Sequence, residues 1–113
     1  CIVYNFSEMK YENIPYKIKL GGQELEVKRV ERVDNNSYGE MCLAAGYIEI
    51  GNKFNKDLDQ SESSKINTFY HEVVHCILDT MGYGELSKDE KFVCCFAGFL
   101  TDAMDKAYFQ IDE

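Results

Sequence analysis

Both histidines of the chain fall in one short stretch, His71-Glu72-Val73-Val74-His75, four residues apart with a glutamate directly after the first. On a helix, residues four apart point the same way about one turn along the axis, so two imidazoles at this spacing reach a single metal ion. Glu72, rotated about 100° from His71, stands beside the pair and not in it, where a carboxylate can hold an attacking water as general base. Zinc is the ion expected, since it lowers the pKa of a bound water towards about 7 and polarises a carbonyl under attack. Two ordinary helix histidines are the plain alternative. With two His and twelve Glu in 113 residues, this arrangement arises by chance roughly 1 time in 500.

An open zinc site needs a third protein ligand, and no histidine remains to supply it. Asp79 continues the 71, 75 series, but eight residues of helix place it about 12 Å from His71, too far for shared bonds of about 2 Å. Glu85, Asp89 and Glu90 are the downstream candidates. Glu90 has the best claim to point inward, because it opens a second apolar pattern beside Phe92, Val93 and Phe96. The same residue closes Ser87-Lys88-Asp89-Glu90, which matches a capping box whose glutamate turns back to the cap's backbone N–H. A carboxylate engaged in that way has fewer lone pairs for a metal.

The motif needs a helix, and the periodicity supplies one. From about Ser61, Ile66, Phe69, Val73 and Ile77 recur at three- and four-residue intervals, with Tyr70, Val74, Leu78 and Met81 on an adjoining arc. Gly82 and Gly84 should end it. A second helix is predicted from Ser87 to about Phe109, its wide buried face made by Phe92, Val93, Phe96, Phe99, Leu100, Ala103, Met104 and Ala107. Cys76, about 140° around the first helix from His71, should face away from the metal. Ahead of the helices, Ile14 to Ile50 reads as strands: IPYKIKL and ELEVKRVERV alternate about a Gly21-Gly22 turn, and YGEMCLAAGYIEIG holds two more that turn near Ala45 and Gly46. DNNS at 34–37 is a loop and GNKFNKDLDQ a polar connection. The expectation is a small antiparallel sheet.

Composition sets the bounds. A chain of 113 residues with 45% hydrophobic residues, seven Phe and eight Tyr is one small domain over 1–113, β-rich over 1–55 and helical over 60–110. Twelve basic residues against twenty acidic ones give a charge of −8, which repels phosphate and argues against nucleic-acid binding. No apolar run approaches the roughly 20 residues of a membrane span. Five cysteines, two of them adjacent at Cys94 and Cys95, make a poor disulfide framework and favour a reducing cytoplasm. The start at Cys1 reads as a trimmed or a processed end, with the apolar IVYNF that follows favouring trimming.

The segment HEVVHCILDTMGYGELSKDEKFVCCFAGFL resembles the short HExxH metallopeptidase-like proteins of phages and prophages, related to the ImmA/IrrE-like group. In those proteins a following helix carries an E-x-x-A-N-x-F-A type segment whose glutamate is the third zinc ligand. Glu90 to Ala97 is similar to it, so the resemblance assigns the ligand role to Glu90, with Cys94 standing where the family often has Asn. YGEMCLAAGYIEIG looks like the family's strand pair, and the likeness covers roughly 38–104. It implies an α+β, zincin-like fold, a sheet packed on two main helices, and zinc-dependent hydrolysis of a peptide bond. His71, His75 and Glu90 would hold Zn²⁺ and Glu72 would act as base on a peptide or protein substrate. Tyr70, Tyr83 or Tyr38 would have to stabilise an oxyanion, and Tyr47 to Ile50 is the candidate edge strand for an extended substrate. The alternative is a non-catalytic binding or regulatory protein stabilised by zinc.

Overall fold

The computed structural model describes residues 2–5, 14–33, 37–53, 58–105 and 108–111. Four strands form one sheet: β2 (Lys17–Leu20; β1 is the separate strand Ile2–Asn5), β3 (Gln23–Arg32), β4 (Gly39–Cys42) and β5 (Tyr47–Lys53), in the order β2-β3-β5-β4. Two hairpins build it. Gly21 (φ 59°) and Gly22 (φ 84°) take the positive φ values that a two-residue turn needs, and Lys17 pairs with Glu26 across it. In the second hairpin Gly39 pairs with Ile50, through a turn ending at Gly46 (φ 75°).

The sheet is mixed, which corrects the antiparallel expectation. β3 and β5 run parallel, with Val27 opposite Ile48. The chain leaves β3, crosses first to the outer edge as β4, and only then returns beside β3 as β5. Each hairpin is antiparallel as its sequence predicts, but which strand of the second meets the first is a tertiary choice. It follows from burial: Ile48 and Ile50 are fully enclosed, as is Leu25. Placing β5 inside pairs both of its edges and centres its apolar face, Ile48 and Ile50, under α1. Lys53 also belongs to β5, so GNK at 51–53 is strand and not connection.

Helix α1 (Glu62–Met81) lies on the sheet. Ser61 caps it, its Oγ accepting from Ser64 N at 3.1 Å. Gly82 ends it in the left-handed region at φ 87°, with Tyr83 N donating to Leu78 O at 2.8 Å. One side of α1 packs Ile66, Phe69 and Cys76 against Leu25, Val27, Ile48 and Ile50. The other packs Val74 and Leu78 against Val93 and Ala97 of α3 (Glu90–Asp105), reached through the short α2 (Gly84–Ser87). Burying each such Leu, Ile or Val contributes about 1.5–3 kcal/mol. α1 is thus held on both sides, and the site it carries is held with it.

Three further expectations change. The second long helix starts at Glu90 and is capped by Asp89, whose Oδ1 accepts from Phe92 N at 3.2 Å, so Ser87 is not its cap. That helix ends at Asp105, and Tyr108–Ile111 is a strand, β6, paired antiparallel with β1. Neither strand is visible to local periodicity, because each partner lies at the opposite end of the chain. Nor is the apolar face of α3 wholly buried: Phe96 is 50% and Phe99 74% exposed. Ala107 and most of the loop at 34–37 lie outside the described residues. Among the described residues, no helix is long and apolar enough to cross a membrane.

Candidate metal centre

His71 and His75, one turn apart on α1, bring their Nε2 atoms to 3.2 Å from each other. From the first residue of α3, Glu90 reaches across with Oε2 at 3.5 Å from His71 Nε2 and Oε1 at 3.6 Å from His75 Nε2. Among the described residues these three form a metal-competent group, their ligand atoms all within 4.8 Å. Ligand atoms at about 2.0–2.1 Å from a tetrahedral ion stand about 3.3 Å from one another. The two imidazole nitrogens therefore have the spacing of two corners of such a tetrahedron, and Glu90 faces each of them with a different carboxylate oxygen. Glu85 and Asp89, the other downstream candidates, are outside it, and Asp79 is exposed on α1.

The far nitrogens of both rings are also engaged. His75 Nδ1 lies 2.9 Å from Oγ of Ser87, a buried hydroxyl. His71 Nδ1 lies 3.9 Å from Sγ of Cys94. With Nδ1–H donating to Ser87 Oγ, His75 presents the Nε2 lone pair to the centre, the form in which imidazole binds metal. At 3.2 Å the two Nε2 atoms can share a proton, His71 donating to His75, or in its place a metal ion. Burial lowers the His71 pKa, His75 lowers it further, and Glu90 opposes both. The net effect keeps the ring neutral and ligating.

Ser87 acquires its role from the turn that sequence reasoning assigned to a helix cap. Because Gly82 reverses the chain and α2 occupies Gly84–Ser87, the Ser87 side chain arrives beside His75 and not on the N-terminus of α3. No local pattern marks this. Only the nearness of a serine to the end of the histidine helix hints at it.

Glu72 is 8% exposed on α1 and lines a cleft of about 400 Å³ together with Ser37, Tyr38, Gly39, Ser64, Asn67, Thr68, His71 and Cys94. Its carboxyl is pushed up to about 7, mainly by burial and then by the charges of Glu90 and Glu40. A proton acceptor poised near neutrality therefore lines the same cleft as His71, the first of the metal ligands. Gly39 makes room for it: a Cβ there would stand 2.5 Å from Thr68 Cγ2 and 3.5 Å from Glu72 Cγ.

One wall of the cleft is fixed by a residue that sequence reading missed. Gln60, 5% exposed, donates from Nε2 to Tyr38 O (3.0 Å) and Gly51 O (2.7 Å), while its Oε1 accepts from Ser64 Oγ (2.7 Å) and Thr68 Oγ1 (3.1 Å). All four bonding positions of the amide are used. It ties the segment before β4 to the first turns of α1.

Of the four candidate tyrosines, Tyr38 alone lines the cleft. Tyr70 is half-buried against Phe69, and burial raises its pKa. Tyr83 is exposed beyond the end of α1, beside a different depression. Tyr47 belongs to β5 and lies under Lys28 Nζ at 4.8 Å. The proposed edge strand Tyr47–Ile50 is interior, flanked by β3 and β4, and the edge beside the cleft is β4. Cys76 faces away from the metal ligands as expected, fully buried among sheet residues, and its thiol is pushed up to about 12 by burial, Glu72 and Asp79. The Cys94 thiol is raised too, by burial and by Glu90. Neither is an activated nucleophile.

Comparison of the chain with models of protein families, with curated proteins and with solved structures found no match.

Proposed function

We propose that the protein is a zinc-dependent peptidase of zincin-like type, of the phage and prophage kind that its sequence resembles. The observation that carries this reading is the convergence of His71, His75 and Glu90, with His71 and the buried carboxylate Glu72 lining one open cleft. Two imidazoles and one carboxylate suit zinc, and three protein ligands leave a position open. Zinc bound there supplies Lewis acidity and makes water acidic enough to attack at neutral pH. Glu72 takes the proton of the attacking water and passes it to the leaving amine. Ser87 holds the His75 ring in the ligating tautomer. The α1–α3 pair, with the sheet edge β4 beside the cleft, supports the zincin-like reading of the fold.

A second reading rests on one observation: among the described residues, only Tyr38 of the candidate oxyanion donors lines the cleft. In that reading zinc clamps α3 to α1 in a binding protein. Glu72→Gln separates the two. The variant should take up zinc as the parent does and lose about 10²- to 10⁴-fold in hydrolysis of a mixed peptide library. Full hydrolysis by zinc-loaded Glu72→Gln would sink the peptidase mechanism, and a zinc-loaded parent that cleaves nothing would favour the clamp.

A further inference from the structure

α3 presents to solvent a face that the described residues leave uncovered. Val93 and Ala97 are buried against α1. On the opposite side run Lys91, Cys95, Gly98 and Asp102, spaced four, three and four residues and so aligned along the helix within about 60°. Beside this line stand Phe92, Phe96 and Phe99. The first two rings lie 5.8 Å apart, and Phe99 is 74% exposed. Shallow depressions of about 430 Å³ and about 400 Å³ flank Phe99, the first walled by Asn67 and Asp102, the second by Asp89 and Lys91. An apolar patch rimmed by charge marks a protein contact.

We propose that this face pairs with a second copy of the same chain, α3 against α3, antiparallel about a two-fold axis. The line from Lys91 to Asp102 carries opposite charges at its ends and small residues at its middle. Antiparallel pairing sets Lys91 on the partner's Asp102 twice over, and sets Cys95 on the partner's Gly98 at the crossing. Gly98 has open space where a Cβ would stand, so the helix axes can approach closely. Among the described residues neither Lys91 nor Asp102 forms an ion pair within the chain. Parallel pairing about a two-fold axis would instead set lysine on lysine and aspartate on aspartate. The same antiparallel two-fold brings the phenylalanine flank of one copy onto that of the other. An unrelated apolar partner would not call for charges in this self-complementary order.

The contact is confined to one helix face, at the small end of specific interfaces, so association in the range of about 10–100 µM is expected. Asn67 and Cys94 line both the first depression and the metal cleft. The second copy therefore stands at one end of the cleft without supplying a metal ligand.

Sedimentation equilibrium of the full chain in reducing buffer, from about 5 to about 300 µM, tests the proposal. A concentration-dependent dimer is expected, and Phe99→Glu should abolish it with an unchanged circular dichroism spectrum. Lys91→Asp and Asp102→Lys should each weaken association by about threefold to thirtyfold. Combining the two should restore it to within about threefold of the parent. A monomer throughout the range, a dimer indifferent to Phe99→Glu, or a double reversal weaker than either single one would overturn the proposal.

Discussion

Glu72 sits where its charge is resisted: burial, Glu90 and Glu40 together push its carboxyl up to about 7 from an ordinary 4.5. The folded protein then holds a proton that the unfolded chain has released, so the stabilisation is complete below about pH 4.5 and is lost as pH rises through about 7. A shift of this size corresponds to roughly 3 kcal/mol. Metal-free protein should therefore lose stability relative to Glu72→Gln between pH 5 and pH 8, read by urea unfolding of both at each pH. His71 titrates in the opposite sense, its lowered pKa favouring stability as pH rises, but it is common to both proteins and largely cancels in the difference. A difference that is flat or grows with pH would show that Glu72 is not held near neutrality. Zinc should flatten the difference, because a nearby dication favours the carboxylate. At this scale the sequence was legible wherever geometry is local: His71, Glu72 and His75 follow from helical spacing alone. Glu90 is favoured among three open carboxylates by its place beside Phe92, Val93 and Phe96, and the family resemblance assigns it the ligand role. Ser87 and Gln60 were not legible, because their partners arrive through the turn after α1 and through the packing of the segment before β4 on that helix.

Elements, unlike residues, meet at surfaces, and the tightest meeting near the site is between β4 and α1. Gly39 lies 3.0 Å from Glu49 O and 2.5 Å from Thr68 Cγ2 when given a Cβ, one neighbour being backbone and the other a buried β-branched side chain. Gly39→Ala should cost about 1–3 kcal/mol and displace Glu72. Gly84→Ala, where a Cβ meets nothing within 4 Å, is the control and should be close to neutral. Chemical denaturation of both checks this; equal effects would mean that β4 and α1 are looser than their packing indicates. The hairpins and α1 were readable from alternation and turn glycines. The parallel β3/β5 contact was not, since alternation fixes which face of a strand is buried but not which neighbour it takes. The start of α3 was misplaced for a related reason: Ser87 and Asp89 are both good caps, and the intervening turn of α2 decides between them.

At the scale of the molecule, α1 is clasped between the sheet and α3, and the two sides are unequal. The sheet side is a continuous apolar core, whereas α3 is joined through Val93, Ala97 and a few half-buried neighbours, with Glu90 at its first turn. A metal bridging His71, His75 and Glu90 would stiffen the weaker side. Chelation should therefore lower thermal stability, by about 2.7 kcal/mol if the free ion had been held at 100 times its Kd. Hydrogen exchange should show the loss in α3 before the amides of β3 and β5 respond. Uniform loss across the chain would argue that the metal acts on the whole fold and not on one joint. The charge of −8 points the same way, since a dication relieves the crowding of Glu72 and Glu90.

The reversal at Gly82 also acts as a ruler. Fourteen residues separate His75 from Glu90, and they are spent on finishing α1, turning, and forming the single turn that delivers Ser87. One residue inserted in α1 after His75 would rotate all that follows by about 100° and advance it by about 1.5 Å. Ser87 and Glu90 would both miss their imidazoles. Insertions and deletions among descendants of this chain should therefore be excluded from 75–90 and collect instead in the hairpin turn at 43–46, where an added residue disturbs no ligand.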